Sequence, residues 1–416
     1  MLASLYKYRK VLIVLCTLVA ITGYAQVYLS TMGIVEAVTG RGNFDVYAVV
    51  NGTTSDSGDH NEQEENSIAS IDELEVETSD RVPSVIIAGA QKGGTDALRH
   101  YLKQHPKMLA SKAQEVHFFD VNCGSLCEDV VKNPSRQLMK KIRSKYVLYW
   151  RIWHHHKRNG STKLSKTMET KEYTFEKSPR YLFHPYVAEK VKAIVPWAKI
   201  IAMLRDPVER AYSQFKMNYE HKILKPKQKA DKAMAKKYSK VSFETCINID
   251  IEHLQEAGIL EDEKNDEVEE SDSFWDLDDD EKDRRWLKYW DIRDENPLSQ
   301  EKMCDCEIGR GLYYLQFLRW FRVYNTPEDR EKIFVTKSES LLPDRETQQV
   351  DIKPITDFIG IDEMNIVAEK KIHATTSDVG PMKDETRQRL EKLFDPFNKQ
   401  LKSVLGEKWD DPWPYK

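Results

Sequence analysis

Cysteine is scarce in this chain, with six in 416 residues, too few for a fold built on disulfides. Cys16 lies inside an apolar run, which leaves Cys123, Cys127, Cys246, Cys304 and Cys306 for the folded part. Five is odd, so at least one is expected to stay unpaired. None of the close pairs has the CxxC spacing of a structural zinc site, and Cys304 and Cys306 are too near to bridge each other without strain, so disulfides are favoured over metal. Charge of one sign is not in excess either. Lys plus Arg number 63 against 68 Asp plus Glu, a net charge of −5, and nothing in that balance calls for a nucleic-acid partner. The average hides acidic and basic blocks that sit apart, so local charge is the informative quantity.

Long apolar runs are equally rare. Only Val11 to Leu29, preceded by Lys7, Arg9 and Lys10, approaches the length a bilayer core requires. With positive charge before the run and none after it until Arg41, residues 1–10 are expected in the cytosol, 11–29 in the membrane and the remainder in the lumen, a single-pass type II topology. The alternative is a cleaved signal peptide, with Gly23-x-Ala25 as the cleavage site. Either way the chain enters the secretory pathway, consistent with the acceptor sequons at Asn51 and Asn159. From Asn51 to Asp80 there are ten acidic residues and no Lys or Arg, so residues 30–82 read as an acidic, disordered stem.

With 40% hydrophobic and 31% charged residues, the rest of the chain can bury a large core. Ordered structure is expected from Pro83. Ser84 to Gly89, Tyr173 to Glu176, Lys199 to Leu204 and Lys332 to Thr336 read as strands. Helices are expected from Thr95 to Gln104, from near His184-Pro185, and from Gly311 to Tyr324. This alternation predicts an α/β fold with a parallel sheet flanked by helices over 83–416. Between Lys222 and Lys302 the pattern fails: eight Lys and one Asp up to Lys240 give way to an acidic tract from Glu261 to Asp283. Residues 222–302 therefore read as a charged insertion, largely surface and partly flexible.

Two segments carry chemistry. Gly89-Ala-Gln-Lys-Gly-Gly-Thr95 joins a buried strand to a helix, where backbone N–H groups and the helix dipole can hold an anion. It is not a Walker A loop, because Lys92 precedes two glycines rather than a hydroxyl residue, and this disfavours a nucleotide kinase. In Ile200 to Ser213, a strand ends at Leu204, Arg205 follows its carboxyl edge and Pro207 opens a helix bearing Ser213. Ligands of open α/β sheets lie at those carboxyl ends, so Lys92 and Arg205 are expected to face one crevice and a ligand with two separated phosphates.

These two segments resemble the 5′-phosphosulfate loop and the 3′-phosphate motif of the sulfotransferases. Glu115-Val-His-Phe-Phe-Asp120, Glu176-Lys-Ser-Pro179, Gly309-Arg-Gly-Leu-Tyr313 and Phe394-Asp-Pro-Phe-Asn398 are similar to the Golgi glycosaminoglycan branch, which includes heparan sulfate 3-O- and N-sulfotransferases and galactosamine 4-sulfate 6-O-sulfotransferases. The resemblance implies a P-loop-like sulfotransferase fold and 3′-phosphoadenosine 5′-phosphosulfate (PAPS) as sulfuryl donor, with no metal required. It implies a Golgi-membrane enzyme whose catalytic domain is lumenal and whose acceptor is a sulfated or sulfatable polysaccharide. Lys92, Gly93, Gly94, Thr95, Asp96, Arg205 and Ser213 would hold the donor. Glu115 would be the general base, with Lys92, His117 and Lys177 completing the catalytic set. Asp120, Ser178, Pro179 and Arg180 would join Glu115, His117 and Lys177 on the acceptor side.

The basic stretch Lys132 to Lys171, including Arg136, Lys140, Lys141, Arg143, Lys145 and His154 to His156, is a candidate glycan surface or a solvated face. One departure from the family is His373 to Met382, which stands where the heparan 3-O enzymes carry a Lys-Gly-Arg loop over the nucleotide. A competing reading is a lumenal glycan-binding protein derived from a sulfotransferase; the presence of Lys92, Glu115, Arg205 and Ser213 argues against it.

Overall fold

The computed structural model describes residues 82–151, 173–224, 241–261, 273–295, 307–368 and 379–406, with Cys304, Trp409 and Trp413. The expected tail, anchor and stem lie outside the described residues except for Val82. So do Asn51, Asn159, Cys306, the run His154 to His156 and most of the 373–382 loop. Among the described residues no helix is long and apolar enough to cross a membrane.

The chain begins with β1 (Val85–Gly89), α1 (Thr95–Gln104), β2 (Met108–Ala110), α2 (Ser125–Lys132), α3 (Arg136–Arg151), β3 (Tyr173–Lys177) and α4 (Val187–Ile194). It continues through β4 (Lys199–Leu204), α5 (Pro207–Tyr219), α6 (Phe243–Glu256), α7 (Asp279–Glu295), α8 (Tyr313–Val323) and β5 (Ile333–Lys337). β6 (Gln349–Val350), α9 (Lys353–Ile359), β7 (Ile366–Val367) and α10 (Asp384–Leu405) complete it. Five strands form one parallel sheet in the order β2-β3-β1-β4-β5, while β6 and β7 pair antiparallel.

Helices cover both faces of the sheet, so its central strands can be apolar on both sides. All five residues of β1 are buried. Ile86 and Ala88 face a core shared with Phe118, Ile142, Val191 and Trp320, whereas Val85 and Ile87 face Leu98, Leu102, Ile355 and Ile359. β1 lies between β3 and β4, so the chain leaves β1 toward one edge of the sheet and, after β3, crosses to the other side. That reversal opens a crevice at the carboxyl ends of the three strands, where Gly89 to Gly94, Lys177 to Arg180 and Arg205 emerge.

Within residues 222–302, expected to be a largely surface insertion, the described helices α6 and α7 contribute to the core. α6 and α7 bury Phe243, Cys246, Ile247, Leu254, Trp286 and Tyr289 in a third cluster with Phe215, Leu312 and Phe394. Most of their charged residues lie on the outer faces, Asp250, Lys282 and Asp283 being buried, and a composition average cannot separate one helix face from the other. Cys246 on α6 is disulfide-bonded to Cys304, and Cys123 to Cys127. On α6, Asp250 accepts hydrogen bonds from Tyr289 Oη (2.6 Å) and from the Ile308 and Gly309 amides (2.6 and 2.9 Å).

Candidate active site

The loop after β1 wraps the start of α1. The Ala90 amide donates to Met203 O on β4 (2.7 Å) and the Gly93 amide to Ala90 O (2.9 Å). The backbone is left-handed at Lys92 (φ 69°) and Gly94 (φ 85°), and no side chain caps the N-terminus of α1. A Cβ at Gly93 would collide with the Met203 and Ala90 carbonyl oxygens, so the close approach of this loop to β4 requires glycine.

Lys92 is partly buried. Burial lowers its pKa; Asp96 opposes the shift, and Arg205 and Arg210 add to it. Lys92 and Arg205 therefore lie within electrostatic reach, as their places at the ends of β1 and β4 predict. Arg210 on α5 is fully buried; it donates to Glu307 O, and its Nε and Nη1 have no hydrogen-bond partner among the described residues. Lys92, Arg205 and the uncapped start of α1 suit an anionic ligand. Asp206 caps α5 by accepting from the Val208 and Glu209 amides (2.8 and 3.0 Å). Tyr313 Oη donates to Arg205 O (3.0 Å), which fixes the strand end bearing Arg205. Ser213 lies partly buried on α5, and Thr95 is buried at the first position of α1.

A second group assembles beside this loop. Lys177, whose side chain has no exposed surface, donates to Asp96 Oδ1 and to Glu115 Oε1 (2.8 Å). His117 bridges two carboxylates, Glu115 Oε2 at 2.8 Å and Asp120 Oδ2 at 2.9 Å. Arg180 Nε stands 3.8 Å from the same Asp120 oxygen, and Asp120 Oδ1 is buried without a hydrogen-bond partner among the described residues. Gln114 Nε2 donates to Asp96 (3.0 Å). Burial alone would raise the Glu115 pKa, but His117 and Lys177 outweigh it and bring it to about 2. Burial would lower the His117 pKa, but Asp120 and Glu115 raise it to about 9. Near neutrality the group thus sets a Glu115 carboxylate against the His117 imidazolium, with Lys177 bonded to the other carboxylate oxygen.

The strand and turn behind this group hold it in place. Ser178 Oγ accepts from the Val116 and His117 amides (3.1 and 2.9 Å) and donates to Glu176 Oε2 (2.9 Å). Tyr181 Oη accepts from the Phe118 and Phe119 amides (2.8 and 3.2 Å) and donates to Glu176 Oε1 (3.2 Å), to which Tyr146 also donates. Pro179 is buried in the same turn. Sequence reasoning quoted Glu176 without giving it a role and missed Tyr146 and Tyr181. The available signal was a carboxylate inside an otherwise apolar buried strand, which must find donors.

Within the basic stretch, Lys132, Arg136, Lys140 and Lys141 are exposed. Arg143 is a correction, because it is buried, donates to Ile194 O (2.9 Å) and lies 4.6 Å from the Trp197 ring centroid. It braces α3 against α4 and is unavailable to a glycan.

Residues 83–245 match the sequence profile of the sulfotransferase family. The human bifunctional heparan sulfate N-deacetylase/N-sulfotransferase 3 is 29% identical over 149 residues, 35% of this chain and 14% of that protein. This chain thus spans only a small part of that relative. The membrane-associated sulfotransferase kil1 of Dictyostelium discoideum is 22% identical over 361 residues, 79% of this chain and 67% of that protein. A crystallised sulfotransferase from Alicyclobacillus acidocaldarius superposes with a TM-score of 0.41 at 20% identity, covering 78% of this chain and 95% of that one.

Proposed function

We propose, from the match of residues 83–245 to the sulfotransferase-family profile, that the chain transfers a sulfuryl group from PAPS to a hydroxyl or amino group of a carbohydrate, with Glu115 as general base. The observation that carries the reading is Lys177, buried between Asp96 on the Gly-rich loop's helix and Glu115. It joins an anion-binding loop to a carboxylate, the two halves that an in-line transfer needs side by side.

PAPS would supply the sulfuryl group and a leaving adenosine bisphosphate. Lys92, the amides of Gly94 to Asp96 and Thr95 would hold its 5′ end, with Gly93 shaping the turn, and Arg205 with Ser213 would hold its 3′-phosphate. A carboxylate with a pKa of about 2 is too weak to ionise a sugar hydroxyl in advance. Glu115 therefore takes the proton late, once attack on sulfur has acidified it. His117, charged near neutrality, orients Glu115 through Nε2 and is itself held by Asp120 through Nδ1. Lys177 donates to Glu115 and stands ready to follow negative charge onto the transferring group.

The carbohydrate acceptor, a glycosaminoglycan in this proposal, is supported by the heparan sulfate N-sulfotransferase relative and by the exposed cations of α3. Golgi-membrane placement with a lumenal domain rests on the apolar run 11–29 and its flanking charges. The test is transfer of radiolabelled sulfate from PAPS by the full chain to heparan, chondroitin and dermatan acceptors. Glu115→Gln should lower kcat by about a hundredfold or more, the scale of a lost general base, with donor binding retained. A fully active Glu115→Gln enzyme would remove Glu115 from the role. Donor binding without transfer to any acceptor would favour a glycan-binding protein instead.

A further inference from the structure

The end of β4 that bears Arg205 is rich in carboxylates. Asp206 follows Arg205 in the chain, Glu209 lies in the first turn of α5, and Glu339 accepts from the Asp206 amide (3.4 Å). An anionic ligand gains from Arg205 only if these groups leave its guanidinium available. Asp206 is spent on the Val208 and Glu209 amides. Glu209 is the competitor that remains: its Oε2 stands 3.7 Å from Arg205 Nη2, an ion pair too long for a hydrogen bond. Its other oxygen, Oε1, accepts from Arg387 Nη2 of α10 at 2.6 Å. Glu209 is the largest cause of a raised Arg387 pKa, with Glu391 and Asp206 adding to it and burial opposing, so Arg387 stays charged.

Arg387 is held in place by contacts that lie outside this group. Thr386 Oγ1 donates to Glu244 Oε1 of α6 (3.3 Å), Lys383 Nζ stands 3.2 Å from the same oxygen, and Arg389 Nη1 donates to Asn248 Oδ1 of α6 (2.7 Å). Tyr212 of α5 donates to Gly380 O ahead of the helix. A Cβ at Gly311 would stand 2.9 Å from Phe394 Cε1 of α10 and 3.0 Å from Pro207 Cβ of α5, so the two helices meet closely there. With both backbones fixed, the shorter contact of Glu209 to Arg387 than to Arg205 is set by the packing of α10 on α5 and α6.

We propose that Arg387 is a positioning residue for the donor: by holding the Glu209 carboxylate through Oε1, it keeps Arg205 open to the 3′-phosphate of PAPS. Without Arg387, rotation of the Glu209 side chain brings Oε2 onto Arg205, and the incoming phosphate must displace an internal carboxylate. A helix beyond the matched residues 83–245 thereby takes part in donor binding. The role rests on the proposed contact of Arg205 with the 3′-phosphate and deepens it.

The test is calorimetric titration of the full chain with adenosine 3′,5′-bisphosphate and with adenosine 5′-phosphate, which lacks the 3′-phosphate. Arg387→Ala should weaken the bisphosphate about three- to fivefold, the scale of one half-exposed ion pair, and leave the monophosphate unchanged. Glu209→Gln should bind the bisphosphate at least as tightly as wild type, and adding it to Arg387→Ala should restore wild-type affinity. Arg387→Lys, which keeps the charge, should lose less than Arg387→Ala. A loss that persists in the double variant would mean that Arg387 bonds the phosphate itself and would overturn the positioning role, as would equal affinity in wild type and Arg387→Ala. Equal losses for both nucleotides, with a parallel fall in thermal midpoint, would reduce Arg387 to a fold contact and overturn it as well. If wild type does not distinguish the two nucleotides, the assignment of Arg205 to the 3′-phosphate fails first, and this inference with it.

Discussion

Three hydroxyl groups, from Tyr146, Ser178 and Tyr181, converge as donors on the buried Glu176 carboxyl. Two of them, Ser178 and Tyr181, each also accept two amides from the segment 116–119. Those oxygens have spent their acceptor capacity, so Glu176→Gln would turn an amide N–H toward an oxygen with no lone pair left for it. The substitution should cost about 1–3 kcal/mol in stability and lower kcat more than it changes donor KM, because the segment it frees carries His117. Burial, against those three hydrogen bonds, raises the Glu176 pKa from its ordinary 4.5 to about 7. Between those values the folded state holds more protons than the unfolded, so stability should decline as pH rises through the window. Glu176→Gln should flatten that slope, as thermal midpoints across the window will show. The neighbouring groups act elsewhere: Glu115 adds stability as pH rises from about 2 to 4.5, and the His117 contribution is lost between 6.5 and about 9. The residues that approach one another at the site were readable in the sequence. The carboxyl beneath them was not, since its donors come from three separate segments.

The loop between β1 and α1 shows why an element can be legible when its environment is not. Glycines after a buried strand and a helix at Thr95 are local signals, and the structure has both where they were expected. What lies against the loop, the Met203 carbonyl of β4, is more than a hundred residues away in the chain. Gly93→Ala should therefore push the loop off β4, at about 1–3 kcal/mol of overpacking, and raise donor KM. Gly94→Ala is the contrasting variant: its Cβ meets only the Met203 methyl and the Ser338 Cβ, at ordinary contact distances of 3.4 and 3.6 Å. Its cost is the left-handed backbone alone, about 1–2 kcal/mol. Equal donor KM in the two variants would mean that contact with β4 does not set the loop. The helix after β3 was misplaced by two to three residues for a related reason. Pro185 looked like a first helical residue, but bonds from the Leu182 amide to Ala88 O (2.8 Å) and from the His184 amide to Arg180 O hold that stretch as a turn until Val187.

At the scale of the whole molecule, the α/β class followed from alternating apolar runs and helical stretches, whereas the order of strands across the sheet did not, because register is decided by long-range pairing. The packing of α6 and α7 was hidden more deeply. Trp286, Tyr289 and Trp290 recur at helical spacing, yet the acidic residues around them dominate the composition. A covalent link shows how this region is tied in. Cys246 and Asp250 share one face of α6, four residues apart; the first bonds Cys304 and the second holds the Ile308 and Gly309 amides. Together they fix the chain as it enters α8. The Cys246–Cys304 bridge spans 58 residues and Cys123–Cys127 only four, so loop closure favours the former strongly. Replacing Cys246 and Cys304 by Ser should remove about 2–4 kcal/mol, seen as a lower urea midpoint. Replacing Cys123 and Cys127 should remove clearly less. Equal midpoints for the two double variants would show that Asp250, and not the disulfide, holds this junction.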